Sequence, residues 1–138
     1  MTPQQIVMVQ ETWQLVVPIR DTAAALFYGK LFELDPALKP LFKGDMVAQG
    51  DKLTSMINSV VTQLHRLEEV VPAIKNLGRR HVRYGVKDDD YDTVGAALIW
   101  TLGAGLGEAF TPAVSEAWAL AYATLAGAMK TAAAEAEV

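Results

Sequence analysis

The strongest constraint in this chain is a spacing. In three separate segments the apolar residues recur at steps of three and four, the period of one face of an α-helix. Ala24, Phe27, Tyr28, Leu31 and Phe32 share such a face. Leu53, Met56, Ile57, Val60, Val61 and Leu64 form a second, with Gln49 one turn earlier on the same line. Val70, Ile74, Leu77 and His81 form a third, at steps of four, three and four. Strict alternation, the mark of a half-buried strand, is almost absent. The chain is therefore expected to be all-α.

Helix punctuation agrees. Thr2-Pro3 and Thr111-Pro112 each offer a capping hydroxyl followed by a proline, which needs no amide hydrogen in a first turn. The first helix should run to about Val17, where Pro18 stops it. A second should span Asp21 to Leu34, with a short helical turn from Pro36 to Phe42. The segment KGDMVAQG passes into a helix ending near His65. Pro72 should begin or kink a shorter helix that Gly85 ends. Asp88 to Asp90 can cap a helix reaching Leu106, and the last helix starts at Thr111. This makes about seven helices in one domain, residues 1–138, with no repeat or linker.

Composition narrows the function. Apolar residues make up 51% and charged residues 20% of 138. A chain of this length buries roughly 68% of its unfolded surface, enough for a sizeable core. The net charge of −4 argues against a nucleic-acid surface, which needs clustered basic residues. The absence of cysteine removes disulfides, thiolate metal sites and cysteine nucleophiles. The start lacks a basic stretch followed by an apolar run, and the weakly charged stretch Ala117 to Met129 is too short to span a bilayer. A cytoplasmic protein is expected, a monomer or weak dimer without membrane or nucleic-acid partners.

The familiar catalytic constellations do not assemble. There is no His-x-x-x-His pair and no G-x-S-x-G elbow. GAGLGE, at Gly103 to Glu108, follows a helical rather than a strand pattern, so it is a poor phosphate loop. KDDDYD lacks the glycine and the glutamate of a calcium loop. Three helices do carry a polar residue on or beside an apolar face: Tyr28, Gln49 and His81. Each has an ordinary reading, as a core tyrosine, a solvent-facing glutamine and a hydrogen-bonded core histidine. The other histidine, His65, reads as surface. A single histidine ending an apolar stripe is also what holds a haem iron from one side, and polar residues on facing helices can then touch a ligand on the other.

Taken together the residues resemble a globin of the single-domain bacterial type, similar also to neuroglobin and to the haem domain of flavohaemoglobins. The resemblance covers nearly the whole chain. It is carried by Trp13, by LFYGKLFELDPALKPLF (Leu26 to Phe42), by LGRRHVRYGV (Leu77 to Val86), by YDTVGAALIW, and by GLGEAFTPAVSEAWALAYATLAGAM. The separation of 32 from Gln49 to His81 fits the bacterial pattern.

The resemblance implies a haem b cofactor and a role for each matched residue. His81 matches the proximal iron ligand and Phe42 the phenylalanine that packs on the haem. Tyr28 and Gln49 match the distal pair, and Leu53 the apolar residue one turn on. Lys52 and Arg80 are candidates for the haem propionates. Tyr91 matches a proximal-side tyrosine, and Leu77, Val86 and Val94 are further haem-contact positions. Oxygen on a ferrous haem carries partial negative charge, toward which Tyr28 and Gln49 can donate. Two such bonds, about 1–3 kcal/mol each in a dry site, slow escape by about two or more orders of magnitude.

The implied function is reversible binding of oxygen and other diatomic ligands, with high affinity, for storage or transport. One departure matters. The last-helix glutamate that flavohaemoglobins set against the proximal histidine falls at Ala133, with Glu135 off the register. That weakens the alternative, nitric oxide detoxification by a dioxygenase, which would need a separate reductase. A haem-based sensor and a haem-free helical bundle are the remaining readings.

Overall fold

The termini of the helices explain where they start. Thr2 Oγ1 accepts from the Gln5 amide at 3.2 Å, and the Gln5 side chain accepts from the Thr2 amide at 2.8 Å. This reciprocal pair satisfies two of the orphan donors at a helix start. Asp45 caps the third helix through Val47 at 2.8 Å, and Thr111 caps the last through Val114 at 3.2 Å.

These caps open a set of six α-helices in a computed structural model that describes residues 2–42, 44–83 and 88–137. The elements are α1 (Pro3–Val16), α2 (Arg20–Leu34), α3 (Met46–Thr62), α4 (Leu67–Arg83), α5 (Asp88–Leu106) and α6 (Pro112–Glu137). Four short 3₁₀ turns join them, including Pro36–Leu41, which is the expected proline turn. No strand occurs among the described residues.

Helix α1 ends at Val16, where Pro18 predicts a stop, and Pro18 sits in a 3₁₀ turn, Val17–Ile19, that leads straight into α2. One boundary differs from expectation. Pro72 does not begin α4, because the helix opens five residues earlier at Leu67 and holds the proline in its interior, where a proline removes one intrahelical hydrogen bond. The expected stop at Gly85 lies outside the described residues.

A buried polar lattice ties the outer helices together. Trp118 Nε1 on α6 donates to Thr12 Oγ1 at 2.8 Å, and Thr12 donates on to the Met8 carbonyl at 2.6 Å. Trp13 Nε1 donates to Asn58 Oδ1 on α3 at 2.9 Å. The two indoles lie 6.2 Å apart at 57°, so each buries its ring while its N–H finds a partner. Around them Val9, Val16, Val61, Leu102 and Ala117 form the main core.

Two smaller apolar clusters stand apart from it. One joins α2, α3 and α5, with Phe27, Tyr28, Leu31, Leu38 and Ala97 buried. The other joins α4, α5 and α6 through Ile74, Tyr91, Ala126 and Met129. Helix α4 packs most extensively on α6, and α3 on α2 and α1. Helices α3 and α4 share no packed interface among the described residues.

Candidate functional site

The first cluster gathers four of the sequence-selected residues. Tyr28 is buried, and Phe42, Leu53 and Val94 pack against its group. Tyr28 stands edge-on to Phe42, with ring centroids 5.3 Å apart at 68°, and edge-on to Phe27 at 5.0 Å. Phe32 closes the set, 5.5 Å from Phe42. Edge-to-face contacts of this kind add about 0.5–1.5 kcal/mol each beyond area burial and hold the tyrosine ring in one place.

Gln49 reaches this cluster through a close helix crossing. Gly50 faces Ala24, where an added β-carbon would lie 3.0 Å from the Ala24 Cβ. The missing side chain lets α3 settle on α2, and the residue before it, Gln49, meets Tyr28. Burial pushes the Tyr28 hydroxyl above its usual 10.0, while a side-chain hydrogen bond with Gln49 pulls the other way. Phe27, Leu53, Ile57, Leu98 and their neighbours line a small, partly open apolar cavity of about 20 Å³.

The second cluster holds Tyr91, with Leu77 packed against it. The Tyr122 hydroxyl on α6 donates to the Tyr91 carbonyl at 2.6 Å, fixing α6 against α5. Gly95 makes room for this ring, since a β-carbon there would meet Tyr122 Cε2 at 2.8 Å. Burial, and then Tyr91 and Asp92 nearby, push the Tyr122 hydroxyl far above its usual range. Lys130 Nζ lies 5.7 Å over the Tyr91 ring and 3.9 Å from Asp92 Oδ1.

The remaining candidates are less gathered. His81 belongs to α4, but its side chain lies outside the described residues, as does the whole of Val86. Lys52 and Arg80 are exposed. His65 is exposed too, and accepts from Arg66 Nε at 3.2 Å. Among the described residues no cluster of three or more potential metal-ligating side chains occurs, and no helix is long and apolar enough to cross a membrane. Sequence reasoning passed over the glycines at the two crossings. An isolated glycine inside a helical pattern was the signal that could have found Gly50 and Gly78.

Comparison with known proteins follows from this geometry. The chain is 29% identical over 111 residues to the flavohemoprotein of Bacillus subtilis (strain 168), covering 78% of this chain and 28% of that protein. It thus spans little more than a quarter of that relative's length. It is 28% identical over 136 residues to the neuroglobin of Danio rerio, covering 88% of this chain and 86% of that one. Its fold matches a bacterial globin from Campylobacter jejuni with a TM-score of 0.85 at 24% identity, over 97% of both chains. The globin family model matches residues 25–129, and the chain belongs to the globin family, whose members bind haem and small diatomic ligands.

Proposed function

We propose that this globin binds oxygen, and other diatomic ligands, at a haem b iron held by His81, and that Tyr28 and Gln49 stabilise the ligand. The carrying observation is the buried Tyr28 hydroxyl with Gln49 as its partner, set among aromatic rings. The residues fit a haem. One apolar cluster joins α2, α3 and α5, the other joins α4, α5 and α6, and α3 and α4 share no extensive contact among the described residues, which suits a flat apolar group between them. The donor set also suits it, with a hydroxyl and an amide on one side and the α4 histidine on the other.

When bound, haem supplies a ferrous iron that takes a diatomic ligand reversibly. Everything else falls to the chain. His81 on α4 would hold the iron through its imidazole. Tyr28 donates its proton toward an electron-rich ligand, and burial keeps that hydroxyl neutral through the physiological range. Gln49 fixes the tyrosine oxygen and offers its other amide hydrogen. Leu53 and Phe42 keep water out, and a hydrogen bond in a dry site is stronger. Lys52 and Arg80, both exposed, would meet the haem propionates.

The test is an absorption spectrum of the protein with haemin, ferric and then ferrous. The expected result is an intense Soret band that moves with oxygen and is lost or altered in His81→Ala. No specific haem uptake overturns the reading. The relationship to a flavohemoprotein favours a second reading, in which a separate reductase sustains conversion of nitric oxide and oxygen to nitrate. Repeated turnover with a reducing system supports it, whereas a simple binder reacts once and stops.

A further inference from the structure

Gly78 makes a contact that no other described glycine makes. It is buried in α4, and an added β-carbon would lie 2.5 Å from the Met129 carbonyl oxygen and 2.8 Å from the Met129 Cα. These are main-chain atoms of α6, so they cannot rotate aside as a side chain does. Glycine is a poor helix former, so its place inside α4 has a packing reason. Among the described residues, α4 packs extensively on α6 alone. The crossing at Gly78 therefore sets how closely α4 lies on α6. His81 comes three residues later, almost one turn along the same helix and on a neighbouring line of its surface. One turn of helix is stiff, so a displacement at position 78 is carried to position 81.

We propose that Gly78 is a positioning residue for the iron ligand: its missing side chain seats α4 on α6, and that seat sets where His81 stands relative to the haem. The inference rests on the haem reading above. Gly78 touches neither iron nor ligand, and acts only through the distance between two helices.

The measurement is the iron–histidine stretching band of the ferrous, ligand-free protein, read by resonance Raman, with the rate of haem loss to an acceptor apoprotein alongside. Gly78→Ala is expected to shift or split the band and to speed haem loss about tenfold. Gly127→Ala, at an exposed helical glycine with nothing within 4 Å, is expected to do neither. A merely structural role would lower the unfolding midpoint and leave the band in place. The same substitution is then made in a His81→Gly background with free imidazole as the iron ligand. Free imidazole has no tether to α4, so Gly78→Ala should leave its band where it is. A band unmoved by Gly78→Ala, or moved equally in the imidazole-ligated protein, overturns the proposal. Should Gly78→Ala not fold, Ala126→Val adds bulk to the same α4–α6 cluster from α6. It is expected to displace the band, and an unmoved band overturns the proposal equally. A wild-type protein that takes up no haem overturns the haem reading instead.

Discussion

Two of the helix crossings use a glycine in different ways. At the α2–α3 crossing Gly50 faces the side chain of Ala24, with a β-carbon contact of 3.0 Å. At the α4–α6 crossing Gly78 faces the backbone of Met129 at 2.5 Å. The Ala24 methyl group is fixed to the α2 backbone and has no rotamer to turn aside, so an added side chain there asks for a shift of a few tenths of an ångström. The Met129 main chain asks for a larger one, and it moves only if the helix moves. Both crossings are therefore set by backbone positions, and the one on the helix that carries His81 is the tighter.

The largest expected effect tests whether the two sides are separable. Tyr28→Phe removes the donor on the α2–α3 side and keeps the ring. Oxygen escape should quicken by about tenfold to a hundredfold, the equivalent of about 1–3 kcal/mol. Gln49→Leu should give a smaller increase, because Tyr28 keeps its proton to donate. Stopped-flow displacement measures both. The iron–histidine band should stay in place in each variant. A band that moves with Tyr28→Phe would show that the two sides are coupled, and would end the comparison.

The glycines themselves come next. Gly78→Ala should destabilise the haem-loaded protein by about 1–3 kcal/mol, since overpacking against backbone outweighs the helix propensity gained. Gly50→Ala should cost less than about 1 kcal/mol, because the propensity gain offsets a modest shift at Ala24. Denaturant midpoints decide between them. Equal losses would mean that the nature of the neighbour, side chain or backbone, does not matter here.

The contrast also explains what was legible in the sequence. Tyr28 and Leu53 were found because spacing places them on apolar faces, Phe42 because its segment resembles a globin's, and the fold collects them with Val94 in one cluster. Periodicity marked three of the helices, and punctuation suggested about seven where six α-helices and four 3₁₀ turns form. The prolines read unevenly. Pro18 does mark the end of α1, but Pro72, which looks like a helix start, lies inside α4. The crossings were harder still. Nothing within α4 announces that Gly78 meets Met129, 51 residues later in the chain. That contact is a property of two helices packed at one angle, and a single stripe of residues does not encode it. The role of Lys130 near Tyr91 was invisible for the same reason.

A smaller effect probes the α6 side without touching its backbone. Tyr122→Phe removes the 2.6 Å bond to the Tyr91 carbonyl but leaves the ring seated over Gly95. The expected loss is about 0.5–1.5 kcal/mol. Hydrogen exchange at the amides of α5 near Tyr91 should rise with it. Unchanged stability would mean that the Tyr91 carbonyl is satisfied as well by its own helix.

The smallest effect is a difference between two titrations. Both tyrosines hold their protons more tightly folded than unfolded, where the hydroxyl titrates near 10.0. As pH rises through that value the unfolded chain releases protons that the folded chain keeps. Stability from these groups is thus fully present below pH 10 and is lost progressively above it. The two sites should not contribute equally. At Tyr122 burial, Tyr91 and Asp92 all push in one direction. At Tyr28 burial is opposed by the Gln49 hydrogen bond. Denaturant midpoints between about pH 8 and about pH 11 should therefore fall less steeply in Tyr122→Phe than in wild type. Tyr28→Phe should flatten the fall by a smaller amount, and Gln49→Leu should steepen it, because the bond that favours the phenolate is gone. A steeper contribution from Tyr28 than from Tyr122 would mean that the Gln49 hydrogen bond does not offset the effect of burial.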